Sequence, residues 1–169
     1  MRSPSAFSQM RRHTFATTLG RCAIRWHDAG LLGFELPEAA PRASDDSAPP
    51  PEIGAVVARV QRHVAGEPQD FSDLRFDFSG VPAFDLAVLR ATLAIKSGQT
   101  RSYGEIAAAL GQPPAASRAV GSALGGNHWP LLIPCHRVLA ADGRMTGFSA
   151  PGGVATKAKL LALEGAQLL

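Results

Sequence analysis

Along the first third of the chain, apolar and polar residues alternate in the way a half-buried strand requires. Cys22, Ile24 and Trp26 alternate with Ala23 and Arg25, the two-residue period of a sheet with one face on a core. Strands are expected over His13 to Thr18, Arg21 to His27 and Leu31 to Leu36, as a meander with turns at Leu19-Gly20 and Asp28-Ala29-Gly30. Cys22 reads as core-facing. The period then changes: Ile53, Val56, Val57, Val60 and Val64 recur at helical spacing, with Arg59 and Arg62 on the other side. Leu74, Phe76 and Phe78 alternate again and predict a further strand. Between them, residues 37–51 hold five Pro, two adjacent Asp and two Ser, a stretch that buries little and predicts a mobile loop.

After Val81-Pro82 the pattern is mostly helical. Phe84, Val88, Ala91 and Ile95 share one face until Ser97-Gly98 stops the helix. Ser102-Tyr103-Gly104-Glu105 has the spacing of a capping box and predicts a helix from Tyr103 to Leu110, ended at Gly111. Pro113-Pro114 opens another, Ala115 to about Gly125. Two short helices around a Gly-Gln-Pro turn make a helix-turn-helix candidate. In the second, Ala115, Ala116, Ser117, Ala119, Gly121, Ser122 and Ala123 are small and Arg118 projects among them. A helix-interior Gly costs about 1 kcal/mol relative to Ala, so a close approach is expected in return, by another helix or by a nucleic-acid groove. Further on, Ile133 to Ala140 and Arg144 to Phe148 predict a hairpin about Asp142-Gly143. Ser149 to Gly153 reads as loop, and Val154 to Glu164 as a helix ended by Gly165. The organisation is α+β: residues 1–80 form an N-terminal subdomain and residues 81–169 a C-terminal one.

The run Leu131 to Leu139 reads as a buried strand or strand-like segment, yet Cys135, His136 and Arg137 interrupt it, and packing does not require reactive groups there. A reactive Cys needs a base or positive charge nearby to form its thiolate. Neighbouring side chains of an extended strand point to opposite faces, so His136 reaches the sulfur only through a bend, which Pro134 permits, or a bridging water. The alternative is a small buried hydrophobe. Glu164 sits at the C-terminal end of its helix, where a carboxylate opposes the macrodipole. Either it is exposed and tolerates this, or it faces inward to orient His136 as the third member of a nucleophile, base and orienter set.

Composition narrows the setting. Hydrophobic residues make up 46% of the 169 residues and no apolar run approaches a membrane span, so a water-soluble protein is expected, with no membrane partner. Cys22 and Cys135 are too few for a disulfide framework or a four-Cys zinc site, and a reducing cytoplasm is the expected location. The first acidic residue is Asp28, as in a transit peptide, but Thr14 to Trp26 already reads as strand. The net charge of +3 is uneven: residues 1–80 carry 9 Lys+Arg against 10 Asp+Glu (−1), residues 81–169 carry 8 against 4 (+4). The basic half holds the Cys motif, which suits a phosphate backbone as well as a solvated surface.

Together, Ser102-Tyr103-Gly104-Glu105-Ile106-Ala107, Ser117-Arg118-Ala119-Val120-Gly121, Gly126-Asn127, Pro134-Cys135-His136-Arg137-Val138 and Leu163-Glu164-Gly165 resemble the O6-alkylguanine-DNA alkyltransferases. The ordered motifs span residues 81–166; the N-terminal half offers only a loose likeness. The resemblance implies a ribonuclease H-like strand meander and helix followed by a winged helix-turn-helix-like catalytic domain. It implies direct-reversal repair of duplex DNA by a protein that binds the minor groove and flips O6-alkylguanine, and more weakly O4-alkylthymine, into a pocket; a monomer is the default expectation, since the sequence identifies no exposed apolar patch. One alkyl group passes irreversibly to a Cys thiolate, with no cofactor. Carried over, Cys135 is the acceptor, His136 deprotonates it through a water, Glu164 polarises His136, and Asn127 hydrogen-bonds around the Cys and its turn. Arg118 replaces the flipped nucleotide in the stack and Tyr103 pushes the phosphate and donates toward the guanine, while Ala116, Ser117, Ala119, Gly121 and Ser122 line the groove-facing helix. Val138, Phe148 and Ser149 belong to the base pocket, where the carbonyls of Cys135 and Val138 read the guanine amino group.

Departures from the family pattern are His128, Phe148 and the pair Ala150-Pro151, all bearing on the pocket wall. The zinc set of some relatives has no counterpart around Cys22, so no metal is expected. No fused methyl-accepting Cys cluster is present either, which argues against a transcription regulator. Rival readings are a lesion-binding protein without transfer, which would lack Cys135, a Cys-His hydrolase, which would turn over an ester, and a regulator that binds undamaged DNA by sequence.

Overall fold

The computed structural model describes residues 9–37, 47–143 and 153–166. The alternating N-terminal segments form strands β1 (Arg11–Thr17), β2 (Gly20–His27) and β3 (Gly30–Glu35), an antiparallel sheet in that order. β1 meets β2 with Phe15 opposite Cys22 and His13 opposite Ile24, and a bulge between Arg25 and Trp26 shifts the pairing with β3. Helix α1 (Pro51–Val64) has Pro at its first turn, where a missing N–H costs nothing, and buries Ile53, Val56, Val57, Val60, His63 and Val64.

The expected strand over Leu74 to Phe78 does not form. Only one bridge joins Phe76 to Leu31, through Leu31 N–H to the Arg75 carbonyl (2.8 Å) and Asp77 N–H to the Leu31 carbonyl (2.9 Å). The Asp77 carboxylate accepts from the Ser79 backbone N–H at 2.9 Å and turns the chain away. The alternation of Phe76 and Phe78 serves packing instead: both rings meet Trp129 edge-on, at 5.8 and 5.3 Å. Gly30, at φ +137, is needed here, because a Cβ would stand 2.7 Å from the Arg75 carbonyl oxygen.

In the second half, α2 (Ala83–Leu93) and α5 (Gly153–Leu163) pack against the Cys segment, while α3 (Tyr103–Ala109) and α4 (Ser117–Gly125) pack on each other and on α2. The capping box at α3 is present in both directions: the Glu105 N–H donates to Ser102 Oγ and the Ser102 N–H to Glu105 Oε1, each at 3.0 Å. The helix expected from Ala115 begins as a 3-10 turn, Pro114–Ala116, and becomes α-helical at Ser117, since Pro113 precedes a proline and stays extended. Between α2 and α3, β4 (Arg101–Ser102) pairs in parallel with β5 (Val138–Leu139). The expected hairpin partner Arg144 to Phe148 lies outside the described residues, as do Ser149, the pair Ala150-Pro151 and residues 38–46 of the Pro-rich segment.

Buried residues of both halves belong to one cluster, from Phe15 and Trp26 through Val60 and Val88 to Trp129, Ile133 and Leu160. Trp129 joins them: its indole N–H donates to the Leu31 carbonyl at 2.9 Å and the ring is 1% exposed. Removing a large buried aromatic costs about 3–5 kcal/mol. Trp129→Ala is therefore expected to lower the urea-unfolding free energy, followed by circular dichroism, by about that amount.

Candidate active site

Pro134 decides the local geometry. It has no N–H for a strand ladder and sits at φ −81, ψ 63, the inverse γ-turn closed by Cys135 N–H to the Ile133 carbonyl at 2.8 Å. The expected strand across Leu131 to Leu139 is thus replaced by a turn. Cys135–Arg137 form a 3-10 helix and only Val138–Leu139 is strand. Leu131, fully buried, has φ 76, rarely occupied by a branched side chain. Asn127 clamps this loop by donating from Nδ2 to the Ile133 carbonyl (3.0 Å) and accepting at Oδ1 from the Trp129 N–H (2.9 Å).

The bend brings His136 and Arg137 onto the C-terminal end of α5. Glu164 follows the last helical residue, and Gly165, at φ 74, completes a cap in which Gly165 N–H bonds the Ala162 carbonyl and Ala166 N–H the Leu161 carbonyl. The helix thus ends one residue before the expected boundary, and the Glu164 side chain points inward, 0% exposed. Its Oε1 accepts from His136 Nε2 and Arg137 Nε, both at 2.9 Å, and its Oε2 from Arg137 Nη2 at 2.7 Å and His63 Nε2 at 2.8 Å. Arg137 Nη1 donates to the Ile95 carbonyl at 2.6 Å, so the guanidinium is held at both ends.

Burial opposes charge on Glu164, but the hydrogen bonds from His136, His63 and Arg137 win and hold its carboxyl far below the usual carboxylate range. His136 is fully buried, and desolvation, only partly offset by Glu164, pushes its pKa down. Since Nε2 faces the carboxylate, the imidazole carries its proton there. Nδ1 is buried and has no hydrogen-bond partner among the described residues. Burial pushes the Cys135 thiol up, while a hydrogen bond from Asn127 and the charge of Lys157 pull the other way. Cys135 and Cys22 are both free thiols, and burial pushes Cys22 up to about 11.

Of the residues expected at a DNA surface, Arg118, Ala119 and Ser122 are exposed on α4, opposite buried Val120, Ala123 and Leu124, while Ala116, Ser117 and Gly121 are half-buried. The small residues also serve the neighbouring helix: a Cβ on Gly121 would meet the Tyr103 ring at 3.8 Å, and one on Gly104 would meet Ser117 Oγ at 3.6 Å. Close approach by the neighbouring helix thus accounts for Gly121 and Gly104. The Val138 carbonyl accepts from Lys157 Nζ at 2.8 Å. Phe148 and Ser149 lie outside the described residues.

His63, Lys157 and the ion-pairing role of Arg137 were not legible as site features. His63 falls three residues after Val60 on the apolar stripe of α1, and Lys157, Leu160, Leu161 and Glu164 share one face of α5 and its cap. A titratable residue on an apolar stripe was the available signal.

These shifts set the pH range of stability. Glu164 and His136 are depressed below their ordinary 4.5 and 6.5, so the unfolded chain binds protons there first. Stability falls as pH drops below 6.5 and falls more steeply below 4.5. Cys135 and Cys22 are raised above 9.0, so their contribution is complete below that pH and is lost as pH rises above it. Urea midpoints measured downward from neutral pH should decline, first below 6.5 and more steeply below 4.5; on the alkaline side the Lys157 ammonium, depressed by burial below its ordinary 10.5, opposes the thiols.

Residues 83–166 match the family described as 6-O-methylguanine DNA methyltransferase, DNA binding domain. A methylated-DNA–protein-cysteine methyltransferase of Methanothermobacter thermautotrophicus is 36% identical over 145 residues, covering 86% of this chain and 80% of that protein. A DNA base-flipping protein of Thermus thermophilus is 38% identical over 147 residues, covering 83% and 92%. The structure of Mycobacterium tuberculosis OGT in complex with DNA matches with a TM-score of 0.78 and 35% identity over 92% of each chain. A mixed α/β fold with a small antiparallel N-terminal sheet is common to this chain and OGT. With an ordered motif set, a buried Cys-His-Glu arrangement and relatives matched over most of their length, the chain belongs to the methylated-DNA–protein-cysteine methyltransferase family.

Proposed function

We propose that this protein repairs DNA by a single, irreversible transfer of the alkyl group of O6-alkylguanine, and more weakly of O4-alkylthymine, to Cys135. The observation that carries the reading is the Glu164 carboxylate holding His136 with its proton on Nε2 and its Nδ1 lone pair uncommitted, one residue from a buried thiol. Through a bridging water, Nδ1 takes the Cys135 proton and Glu164 balances the imidazolium. The thiolate attacks the alkyl carbon in line, the S–C bond forms as the C–O6 bond breaks, and the guanine accepts a proton, with Tyr103 as donor. A thioether does not revert, so each molecule acts once.

In this reading residues 81–169 form the DNA-binding and acceptor domain, with α3 and α4 as a winged helix-turn-helix in the minor groove. Residues 1–80 form a ribonuclease H-like subdomain against it. Exposed Arg118, Ala119 and Ser122 face the groove with Ala116, Ser117 and Gly121 beside them, a slim surface that suits close approach, and Arg118 fills the gap in the base stack. Flipping costs a few kcal/mol, least for a pair weakened by alkylation, which contributes selectivity. Val138, Phe148 and Ser149 wall the base. The Cys135 and Val138 carbonyls read the amino group, each through the lone pair not already used by the Val138 N–H or by Lys157. The protein acts as a monomer, without metal or cofactor.

Intact-protein and peptide mass spectrometry after mixing with a duplex containing one O6-methylguanine is expected to find one methyl group per protein, on Cys135, with guanine restored. Binding without transfer would favour a lesion sensor. Arg118→Ala should weaken lesion capture and slow transfer at limiting DNA, while a small alkylating reagent should still modify Cys135 at the native rate.

A further inference from the structure

His63 is a part of the Glu164 network that comes from the N-terminal half. Its Nδ1 accepts the backbone N–H of Gln69 at 3.0 Å, so that nitrogen carries no proton. The ring proton therefore sits on Nε2, 2.8 Å from Glu164 Oε2. The ring packs at 5.4 Å from Phe71 and is fully enclosed, with a side-chain exposure of 0%. A backbone amide thus selects the tautomer that makes this imidazole a fixed neutral donor.

Charge balance alone does not call for it. Arg137 already meets Glu164 with two parallel bonds, at 2.9 and 2.7 Å, and burying an imidazole is costly unless its polar atoms are used. What His63 adds is the last of the four donors that occupy both lone pairs of each carboxylate oxygen. A carboxylate so occupied can rotate only by breaking bonds and accepts a proton only by losing a donor. It therefore keeps His136 as an Nε2–H donor with Nδ1 free to act as base. The other charged and titratable groups facing this network are His136 and Arg137 and, beyond His136, the Cys135 thiol and Lys157.

We propose that His63 is a positioning residue for alkyl transfer: from α1 it fixes the Glu164 carboxylate, and through it the tautomer and orientation of His136. The inference rests on the alkyl-transfer reading above, and it makes the N-terminal half a part of the reaction machinery through one hydrogen bond.

The test compares the native protein with His63→Phe, which keeps a ring against Phe71 but has no donor, and His63→Gln, whose amide N–H lies at a similar distance from Cα. Single-turnover methyl transfer from a saturating O6-methylguanine duplex is measured across pH, alongside duplex affinity, urea midpoint and ¹⁵N spectra of the imidazoles. A hydrogen bond to a charged group is worth roughly a factor of ten, so His63→Phe should transfer about tenfold more slowly. Its pH–rate curve should be displaced, its duplex affinity unchanged, and its His136 signals should report mixed tautomers. His63→Gln should recover most of the rate. In the native protein both His63 and His136 should be neutral with the proton on Nε2. A native rate and pH profile in His63→Phe, with only a lower urea midpoint, would overturn the proposal, as would an Nδ1 proton on His63 in the native protein. Should His63→Phe not fold, the native spectra and the His63→Gln rate decide. Failure of the native protein to transfer would instead refute the alkyl-transfer reading, leaving the imidazole spectra to judge the positioning geometry.

Discussion

A carboxylate removed from water must be compensated where it stands, and the structure around Cys135 is arranged to compensate Glu164. Its transfer into a low-dielectric interior costs several kcal/mol after relaxation, and the end of a helix adds an unfavourable dipole. The protein offsets both with four donors drawn from α1, the turn after Pro134 and the guanidinium beside it. Assembling those donors requires α5 to stop before Glu164 and be capped at Gly165, Pro134 to bend the chain, and α1 to lie against the second half. Local geometry, tertiary packing and the electrostatics of the site are thereby one constraint.

The same constraint sets the resting state of the reactive groups. Burial holds the Cys135 thiol up and the His136 imidazole down, so both are neutral before substrate arrives. Asn127 and Lys157 act on the thiol in the opposite sense, the first by hydrogen bonding and the second by charge. In the proposed reaction, moving one proton from sulfur to Nδ1 creates an ion pair whose cation already has Glu164 at 2.9 Å. The environment is prepared for the charge before the charge appears. A buried thiol that is not standing as thiolate is also protected from indiscriminate alkylation and oxidation.

Sequence periodicity sufficed for the meander, α1 and the helical character of the second half, because those elements are stabilised by one apolar face each. Local chemistry sufficed for the α3 capping box, and the motif order brought Cys135, His136, Asn127 and Glu164 forward together. Alternation misled at Leu74 to Phe78, where the phenylalanines pack on Trp129 and the backbone bonds with Leu31 are few. Apolar character misled across Leu131 to Leu139, where Pro134 and the strained Leu131 overrode strand propensity. His63 was hidden for another reason. It lies 101 positions from Glu164, and a partner at that separation is chosen by how the two halves pack, which no local pattern encodes.

In the proposed reaction the Glu164 carboxylate makes His136 the base for Cys135. The direct measurement is the single-turnover rate of methyl transfer by folded Glu164→Gln, at saturating O6-methylguanine duplex, against the native protein. General-base assistance is worth about 10²–10⁴ in rate, so a fall of at least about 100-fold is expected, with duplex binding retained. Transfer at the native rate by the folded variant would contradict it and make the buried carboxylate a structural device alone.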